Sequence, residues 1–257
     1  MKRVKAIIIR TAGTNCDWET QKAFELSGAV AHRVHINELI AKKTRISDFE
    51  ILAIPGGFSY GDDIASGKIL ANELKYKLGD DIREFALSGR PIIGICNGFQ
   101  ILVKMGLLPD PESFTQTTTL TFNDSDKFEC RWINLKKQKS VCIWTKNLSA
   151  MISLPIAHGE GKFIAADKSV LRSLEDNKQI VFRYVNDKGA VAGYPFNPNG
   201  AQNSIAGICN KRGNVFGLMP HPERFVYSLQ HPARKGKAAK SEFGWGIDIF
   251  KNAVNFV

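Results

Sequence analysis

The fold is decided by the stretch PIIGICNGFQ, residues 91–100. A short apolar run leads here into Gly-x-Cys-x-Gly and then into a helical pattern, which is the layout of a nucleophile elbow. Gly94 and Gly98 lie two residues before and two residues after Cys96, and their lack of side chains permits a tight turn. The Cys96 thiol should therefore project from the end of a strand, beside a helix amino terminus that favours the thiolate.

Cysteine alone is weak support for chemistry, because most cysteines are small buried apolar side chains. Four of the five are interpreted in this way: Cys16, Cys130, Cys142 and Cys209. Cys96 differs, since a purely structural cysteine gives no reason for glycines on both sides of it. The odd number and wide spacing of the cysteines also favour reduced thiols in a cytosolic compartment over a disulfide framework.

Strand and helix patterns alternate in the part of the chain that leads to and follows this stretch. Strands are predicted at 4–9, 30–36, 49–54 and 91–95, and helices at 17–26, 70–87 and 99–107. Such alternation predicts an α/β fold with a mostly parallel, doubly wound sheet.

The pattern changes after residue 113 to Thr-rich and aromatic strands. These are predicted at 117–122, 128–135, 141–145, 180–185, 204–209 and 215–218, with a closing helix at 248–256. Strands that follow one another in this way favour an antiparallel extension of the sheet. Because no repeat and no Pro/Ser-rich linker divides the chain, residues 1–257 are predicted to form a single domain.

Composition describes an ordinary globular chain, with 44% hydrophobic and 23% charged residues, and excludes disorder and collagen. Lys and Arg number 35 against 25 Asp and Glu, and the resulting charge of +10 attracts acidic partners without naming one. The densest basic group, at 234–240, has no aromatic residue to stack on bases and lies in no nucleic-acid motif. No nucleic-acid partner is therefore expected.

Hydropathy gives no reason to expect a membrane protein. No apolar stretch approaches the roughly 20 residues that span a bilayer, and the apolar run at 6–9 is too short for a signal-peptide core. We expect no membrane partner and a cytoplasmic location.

A cysteine nucleophile needs a base within hydrogen-bond reach and a third group that orients the base. His221 follows the predicted strand at 215–218 directly, in the segment LMPHPER, residues 218–224. We expect Pro222 to hold this segment extended, so that Glu223 faces the same way as His221 and accepts a hydrogen bond from its ring. One short segment then supplies both the base and its orienting carboxylate.

Two glycine-rich segments are further candidates for the site. PGGFSYGDD, residues 55–63, follows another predicted strand and can aim a backbone N–H at the crevice beside Cys96, although a plain Gly-Gly turn is the alternative. AHGEGK, residues 157–162, is interpreted as a binding loop around His158, with an ordinary turn as its alternative.

Phosphate and metal motifs are not supported. Residues 61–69 resemble a phosphate-binding loop, but five residues separate the glycines instead of four, and Ile69 replaces the Ser or Thr that holds magnesium. No Cys-x-x-Cys or His-Glu-x-x-His spacing occurs in the sequence. Neither nucleotide binding nor a metal site is predicted for this chain.

Taken together, GICNGFQ at 94–100 and HPE at 221–223 resemble the signature of the class I (triad) glutamine amidotransferases. Within that class, further segments resemble the glutaminase subunits of phosphoribosylformylglycinamidine synthases. These segments are GTNCD at 13–17, PGGFSYGDD at 55–63, AHGEGK at 157–162 and YPFNPNG at 194–200. The resemblance runs from just after the first predicted strand to Glu223.

The resemblance implies a flavodoxin-like α/β fold and a Cys-His-Glu triad that hydrolyses glutamine to glutamate. Cys96 would attack the side-chain amide of L-glutamine, His221 would transfer the proton, and Glu223 would orient His221. Ammonia would leave first, and water would then hydrolyse a glutamyl thioester.

The resemblance also implies roles for other residues and for partners. The N–H groups of Gly57 and Asn97 would form the oxyanion hole, and Gln100, His158 and Gly159 would help to hold the substrate. Ammonia would pass to a large synthetase subunit, which uses ATP and Mg²⁺ to convert formylglycinamide ribonucleotide to formylglycinamidine ribonucleotide in purine biosynthesis. A small accessory subunit would complete the complex, and no cofactor is implied for this chain.

Alternatives from two classes stay open at this point. Another triad amidotransferase, or a cysteine hydrolase of the same fold, would act on a different acceptor or substrate, although the segment at 55–63 favours the purine enzyme. A non-catalytic interaction subunit would be expected to lack Cys96, His221 or Glu223, and all three are present. The basic stretch at 228–246 matches no motif of the family, and its role is open.

Overall fold

The computed structural model describes residues 3–233 and 241–257. Its helices and strands are, in chain order, β1 (Lys5–Arg10), α1 (Asp17–Leu26), β2 (Val30–His35), α2 (Ile36–Ile40), β3 (Ile51–Ile54), α3 (Lys68–Leu87), β4 (Ile92–Ile95), α4 (Asn97–Met105), β5 (Thr118–Thr121), β6 (Glu129–Lys137), β7 (Met151–His158), β8 (Lys162–Ala165), α5 (Lys168–Asp176), β9 (Ile180–Val185), β10 (Ile205–Cys209), β11 (Val215–Leu218) and α6 (Ile247–Val254).

A nine-stranded sheet organises the fold, in the order β2-β1-β3-β4-β11-β10-β9-β6-β7. The first five strands of this order pair in parallel. From β11 onward each strand pairs antiparallel with its neighbour. The prediction of a mostly parallel, doubly wound sheet with an antiparallel extension is confirmed, and the order of the parallel part is that of flavodoxin-like folds. The strand at 215–218, predicted as part of the extension, joins the two parts, since β11 pairs in parallel with β4 and antiparallel with β10. Strands β5 and β8 form a separate antiparallel pair.

The inner parallel strands β3, β4 and β11 are buried along their whole length because helices cover both faces of the sheet. The chain moves from β1 to β2 in one direction across the sheet and from β3 to β4 in the other. Right-handed crossovers therefore place α1 and α3 on opposite faces. Helix α4 packs beside α3, and α6 packs beside α1. The rings of Phe24 and Phe250 meet edge to face at 5.0 Å between α1 and α6, which closes the carboxyl-terminal helix onto the core.

The sequence analysis did not predict four of the helices and strands, and one strand that it predicted is wrong. The missed elements are α2, β7, β8 and α5. Residues 141–145, predicted as a strand, contain instead a 3₁₀ turn at Ile143–Thr145. Trp144 in this turn is fully buried and donates its indole N–H to the backbone oxygen of Asn214 at 2.9 Å. The apolar composition of this segment thus reflects burial of one large side chain and not pairing in a sheet.

Burial of the cysteines agrees with the sequence interpretation at Cys142 and Cys209, which are buried. The interpretation is wrong for Cys130, which is exposed. Cys130 lies on β6, whose residues alternate between the interior and solvent, so its position along the strand decides its exposure.

None of the helices in the described ranges combines the length and the apolar character that crossing a bilayer requires.

Candidate active site

Three parallel strands bring the candidate residues to one edge of the sheet. Strands β3, β4 and β11 are neighbours, so their carboxyl ends lie side by side. The loop at 55–57 follows β3, Cys96 follows β4, and His221 comes shortly after β11. This edge is where open α/β sheets place their ligands.

Cys96 occupies a strained turn between β4 and α4. Its φ is +51° and its ψ is −106°, a conformation that side chains rarely adopt and that the surrounding structure must enforce. Its backbone N–H donates to the oxygen of Leu218 at 2.8 Å, which ties the turn to β11. The Cys96 side chain is 6% exposed, and its Sγ lies 3.7 Å from the backbone oxygen of Ala157.

The two glycines beside Cys96 are required by close backbone contacts. A Cβ on Gly98 would lie 1.8 Å from the backbone oxygen of Ile54, and one on Gly94 would lie 2.5 Å from the backbone oxygen of Gly98. Both distances are far inside van der Waals contact. The glycine spacing therefore lets α4 approach β3 and β4 closely enough to place Cys96 at the strand end.

His221 and Glu223 form a buried hydrogen-bonded pair. His221 Nδ1 donates to Glu223 Oε1 at 2.6 Å, and the two side chains are 2% and 0% exposed. The backbone N–H of His221 donates to the oxygen of Pro155 on β7 at 2.9 Å. The segment is not extended as predicted, because Pro222–Arg224 form a 3₁₀ turn. That turn still returns the Glu223 carboxylate to the His221 ring.

Electrostatics favour the protonated form of the His221 ring. Burial by itself would lower the pKa of His221, but the Glu223 carboxylate, with smaller contributions from the thiols of Cys96 and Cys16, holds this pKa well above its usual value. Nε2 of His221 has no hydrogen-bond partner within the described ranges. The ring therefore has one nitrogen committed to Glu223 and one available to exchange a proton.

Gly56 marks the point at which the base and the nucleophile meet. A Cβ on this residue would lie 2.8 Å from His221 Cε1, 3.4 Å from Cys96 Cβ and 3.2 Å from Cys16 Sγ. A side chain here would push the imidazole and the thiol apart. The sequence signal for this requirement was the Gly-Gly pair directly after the strand β3.

Two backbone N–H groups near the ends of β3 and β4 have no acceptor within the described ranges. Gly57 has a φ of +145° and packs so tightly against residues 13–15 that a Cβ would lie 2.7 Å from the oxygen of Gly13. In the part of the chain that the structure describes, the N–H groups of Gly57 and Asn97 donate to no acceptor. The Asn97 side chain is held by Ser59, Asp62 and Gln100, which fixes the first turn of α4.

The residues predicted to hold the substrate lie near the triad. Gln100 donates its amide to the backbone oxygen of Glu160, and so joins α4 to the segment at 157–162. His158 is the last residue of β7 and not part of a loop as predicted. Gly159 follows it, and its backbone oxygen accepts a hydrogen bond from the N–H of Asn123 at 2.9 Å.

His158 is a buried neutral histidine. Its Nδ1 lies 3.1 Å from Asn123 Oδ1, which also accepts the N–H of Gly161, so Nδ1 carries the ring proton. Burial, with a smaller contribution from His221, lowers the pKa of His158 to about 3. A Cβ on Gly161 would lie 2.4 Å from the His158 ring, which explains the glycine at that position.

A pH-dependent loss of stability should follow from His158. In the unfolded chain its ring takes up a proton near pH 6.5, and in the folded chain only near pH 3. The stability that depends on the neutral ring is thus present above pH 6.5 and is lost as the pH falls, by up to about 1.4 kcal/mol per pH unit. His158→Gln removes this titration. Measured from pH 7.5 to pH 5, the free energy of unfolding of the wild type should fall more steeply than that of the variant, and parallel curves would contradict a buried neutral ring.

Cys16 is a site residue that sequence reasoning missed. It was interpreted as a buried apolar residue, and it is 1% exposed, but its Sγ lies 3.9 Å from His221 Nδ1 and accepts a hydrogen bond from Arg224. More than two hundred residues separate Cys16 from His221 in the chain. Its only sequence signal was its place in the GTNCD segment at 13–17.

Cys16, His221 and Glu223 bring three potential metal-ligand atoms within 4.8 Å of one another. The Arg224 guanidinium opposes a cation at this place, because it lies 3.1 Å from Cys16 Sγ. Positive charge is thus already supplied beside the thiol by a side chain of the protein.

Part of the basic stretch at 228–246 packs against the antiparallel extension. Ser228–Gln230 form a 3₁₀ turn, and the ring of His231 lies 4.4 Å from that of Trp132 on β6. Tyr227 and Phe243 form an isolated bridge. The basic residues of this stretch that the sequence singled out lie outside the described residues: Arg234, Lys235, Lys237 and Lys240.

Comparison with known proteins gives consistent relatives. A family model described as a CobB/CobQ-like glutamine amidotransferase domain matches residues 3–257. The phosphoribosylformylglycinamidine synthase subunit PurQ of Dehalococcoides mccartyi is 49% identical over 259 residues, which cover 100% of this chain and 98% of that protein. The corresponding PurQ of Archaeoglobus fulgidus is 43% identical over 271 residues, with 100% and 98% covered.

Solved structures give the same picture at the level of the fold. A chain in the structure of PurLQS from Thermotoga maritima matches with a TM-score of 0.76 and 33% identity, over 99% of each chain. The glutaminase domain of Trypanosoma brucei CTPS with bound acivicin matches with a TM-score of 0.58, over 98% of this chain and 94% of that chain. At 12% identity, this second match shows a shared fold alone.

Proposed function

This chain belongs to the CobB/CobQ-like glutamine amidotransferase family, and from that premise we propose that Cys96, His221 and Glu223 hydrolyse the side-chain amide of L-glutamine. The protein is a glutamine amidotransferase, the glutaminase subunit of phosphoribosylformylglycinamidine synthase in purine biosynthesis, and it works in a complex with a large synthetase subunit. The resemblance that the sequence motifs carried is thereby confirmed.

One observation carries the assignment of the triad. The His221–Glu223 hydrogen bond of 2.6 Å lies beside Gly56, where His221 Cε1 and Cys96 Cβ approach the same point. A nucleophile at a strand end, a base with one free nitrogen and a carboxylate that orients the base are the three parts that acyl transfer through cysteine requires.

The reaction then follows from the chemistry of these groups. The Cys96 thiol passes its proton to His221 Nε2, Sγ attacks the side-chain carbonyl carbon of glutamine, and the negative charge develops on the carbonyl oxygen. His221 gives a proton to the amide nitrogen, the carbon–nitrogen bond breaks, and ammonia leaves a glutamyl thioester on Cys96. Water then attacks the thioester while His221 accepts its proton, the carbon–sulfur bond breaks, and glutamate leaves. The proton on His221 returns to Cys96 Sγ, which restores the thiol.

The N–H groups of Gly57 and Asn97 stabilise the developing oxyanion. Their freedom from other acceptors supports this role, because an oxyanion hole needs donors that are positioned before the reaction. Each donor of this kind contributes about 3 kcal/mol to the stability of the transition state. Their positions are fixed by the packing of Gly57 against residues 13–15 and by the start of α4.

Gln100, His158 and Gly159 help to hold the substrate. The bond from Gln100 to the backbone oxygen of Glu160 keeps the segment at 158–160 beside α4. His158 Nε2 is buried and has no partner in the described part of the chain, so a substrate polar group can bind there.

We also assign the cofactors, the accessory partner, the location and the domain organisation. We assign no cofactor to this chain, and ATP with Mg²⁺ to the synthetase subunit. A small accessory subunit completes the complex, and the location is cytoplasmic, which five unpaired cysteines support. We assign the chain to one domain, and the nine-stranded sheet supports this, because strands from both halves of the chain share it.

The assay of this proposal is glutamate release from glutamine by the purified chain, with and without the synthetase subunit. Because Cys96 and His221 are 6% and 2% exposed, we expect little turnover by the free chain and strong stimulation in the complex. A complex that forms phosphoribosylformylglycinamidine from ammonium salts but releases no glutamate from glutamine would contradict the proposal. Release of a product from another amide by the same thiol would favour a different cysteine hydrolase.

Alkylation by a glutamine-like diazo ketone tests the nucleophile directly. The reagent should label Cys96, because this thiol is the one that attacks the substrate. Peptide mapping should find no label on Cys209, which is buried away from the candidate site. Label on Cys16 or Cys209 in place of Cys96 would contradict the assignment.

A further inference from the structure

The proposed mechanism leaves a second buried thiol beside the base without a role. Cys16 precedes α1, and its backbone N–H donates to the oxygen of Gly56 at 3.2 Å. Its Sγ lies 3.9 Å from His221 Nδ1 and within 4.8 Å of a Glu223 carboxylate oxygen. Burial, opposed by a hydrogen bond with His221, raises the pKa of the Cys16 thiol. The sulfur is therefore a neutral group in contact with the triad.

The two carboxylate oxygens of Glu223 differ in their hydrogen bonding. Oε1 accepts the His221 N–H, whereas Oε2 is buried and has no partner in the part of the chain that the structure describes. A buried carboxylate oxygen without a partner is costly and attracts any donor that can reach it. The next residue in the chain, Arg224, carries five such donors.

Arg224 donates to Cys16 and not to Glu223. Its guanidinium lies 3.1 Å from Cys16 Sγ, and its remaining ion pair is a long one, 3.9 Å to Glu19. A hydrogen bond to sulfur is weak, whereas a guanidinium–carboxylate pair is one of the strong polar contacts in proteins. The observed arrangement thus gives up the stronger contact for the weaker one, and a group must hold it in place.

We propose that Cys16 is a positioning residue for the base, whose thiol binds the Arg224 guanidinium and keeps it away from Glu223, so that the carboxylate serves His221 alone. The inference rests on the proposed triad. It explains why a thiol lies here: sulfur accepts one hydrogen bond from Arg224, fills the space beside the imidazole, and adds no charge next to the ring.

Loss of the Cys16 thiol should lower the pKa of His221. In Cys16→Ala the guanidinium loses its acceptor and gains room, so it pairs with Glu223 Oε2. The carboxylate then divides its charge between Arg224 and His221, the pKa of His221 falls, and less of the ring is protonated at neutral pH. In Cys16→Ser an acceptor for Arg224 is kept, and the change should be smaller.

The experiment measures glutaminase turnover against pH for the complex with the synthetase subunit. Cys16→Ala should move the limb of the kcat–pH curve on which His221 loses its proton by about one unit to lower pH, and kcat at pH values on that limb should fall about tenfold, since one unit of pKa is tenfold in an equilibrium. KM for glutamine should change little. Adding Arg224→Met to Cys16→Ala should restore most of kcat and the position of the limb, with Arg224→Met alone as the baseline.

Two results would overturn the proposal. The first is a Cys16→Ala enzyme with a lower kcat but an unchanged pH profile, which is what loss of packing alone produces. The second is a double variant that is no better than Cys16→Ala. If Cys16→Ala does not fold, Cys16→Val keeps most of the volume without an acceptor and supports the same comparison. A wild-type complex without glutaminase activity would contradict the triad itself, before any variant is compared.

Discussion

Replacing Cys96 with alanine is expected to abolish glutamine-dependent turnover, by more than about 10⁴-fold in kcat. In the proposed mechanism the thiol forms the bond to the substrate carbon, and no other nucleophile lies in the strained turn between β4 and α4. Because we assign activation of the acceptor to the synthetase subunit, product formation from ammonium salts should continue. Glutamate release and product formation, followed with each nitrogen source, measure the two activities in one complex.

Cys130→Ala is the matched control for this substitution. Cys130 is exposed on β6, and its replacement removes a thiol that reagents reach more easily than Cys96. Glutamate release by this variant should match that of the wild type. Wild-type glutamate production by the Cys96→Ala complex would disprove the nucleophile assignment, and loss of the ammonia-dependent reaction would indicate that the substitution disrupts the complex instead.

The part of the site that sequence could predict is the part that local backbone geometry encodes. Gly94, Cys96 and Gly98 lie within five residues of one another. The structure requires a glycine on each side of Cys96, because a Cβ there would lie too close to backbone atoms. The alternation of strands and helices fixed which residues follow parallel strands. Carboxyl ends of neighbouring parallel strands lie at the same edge of a sheet, so the proximity of Cys96 to the turn after β3 needed no knowledge of long-range packing. The strand at 215–218 was predicted in the antiparallel extension, and its parallel pairing with β4, which brings His221 to the same edge, was not predicted.

The rest of the site depends on contacts that no local pattern encodes. Strand β7 supplies the oxygens of Pro155 and Ala157 to His221 and Cys96, yet its central proline argues against a strand. Pro155 is tolerated because β7 is the last strand of the sheet, where a missing N–H costs no ladder bond. Cys16 lies beside the triad because its segment packs against the turn after β3, for example through the bond of its N–H to the oxygen of Gly56, a contact between two loops of the fold.

Gly98→Ala should combine a large loss of stability with a loss of activity. The added Cβ would lie 1.8 Å from the oxygen and 2.7 Å from the carbon of the Ile54 carbonyl. This carbonyl is backbone of β3 and cannot turn aside, so α4 must move away from the sheet. Overpacking costs about 1–3 kcal/mol where side chains can adjust, and we expect the upper end or more here.

The same displacement should reach the chemistry, because Gly98 holds α4 against β3, and the two proposed oxyanion-hole donors lie at the start of α4 and in the turn after β3. Helix α4 carries the Asn97 N–H, and β3 leads directly into Gly57. A misplacement of about 1 Å between such groups costs on the order of 10²-fold in rate. Denaturant unfolding and glutaminase kcat of the complex measure the two effects.

Gly193→Ala is the control, since a Cβ there meets nothing within 4 Å, and its stability should stay within about 0.5 kcal/mol of the wild type. A Gly98→Ala variant with the unfolding free energy and the kcat of the wild type would contradict this prediction. The close approach of α4 to β3 would then not be what positions Cys96.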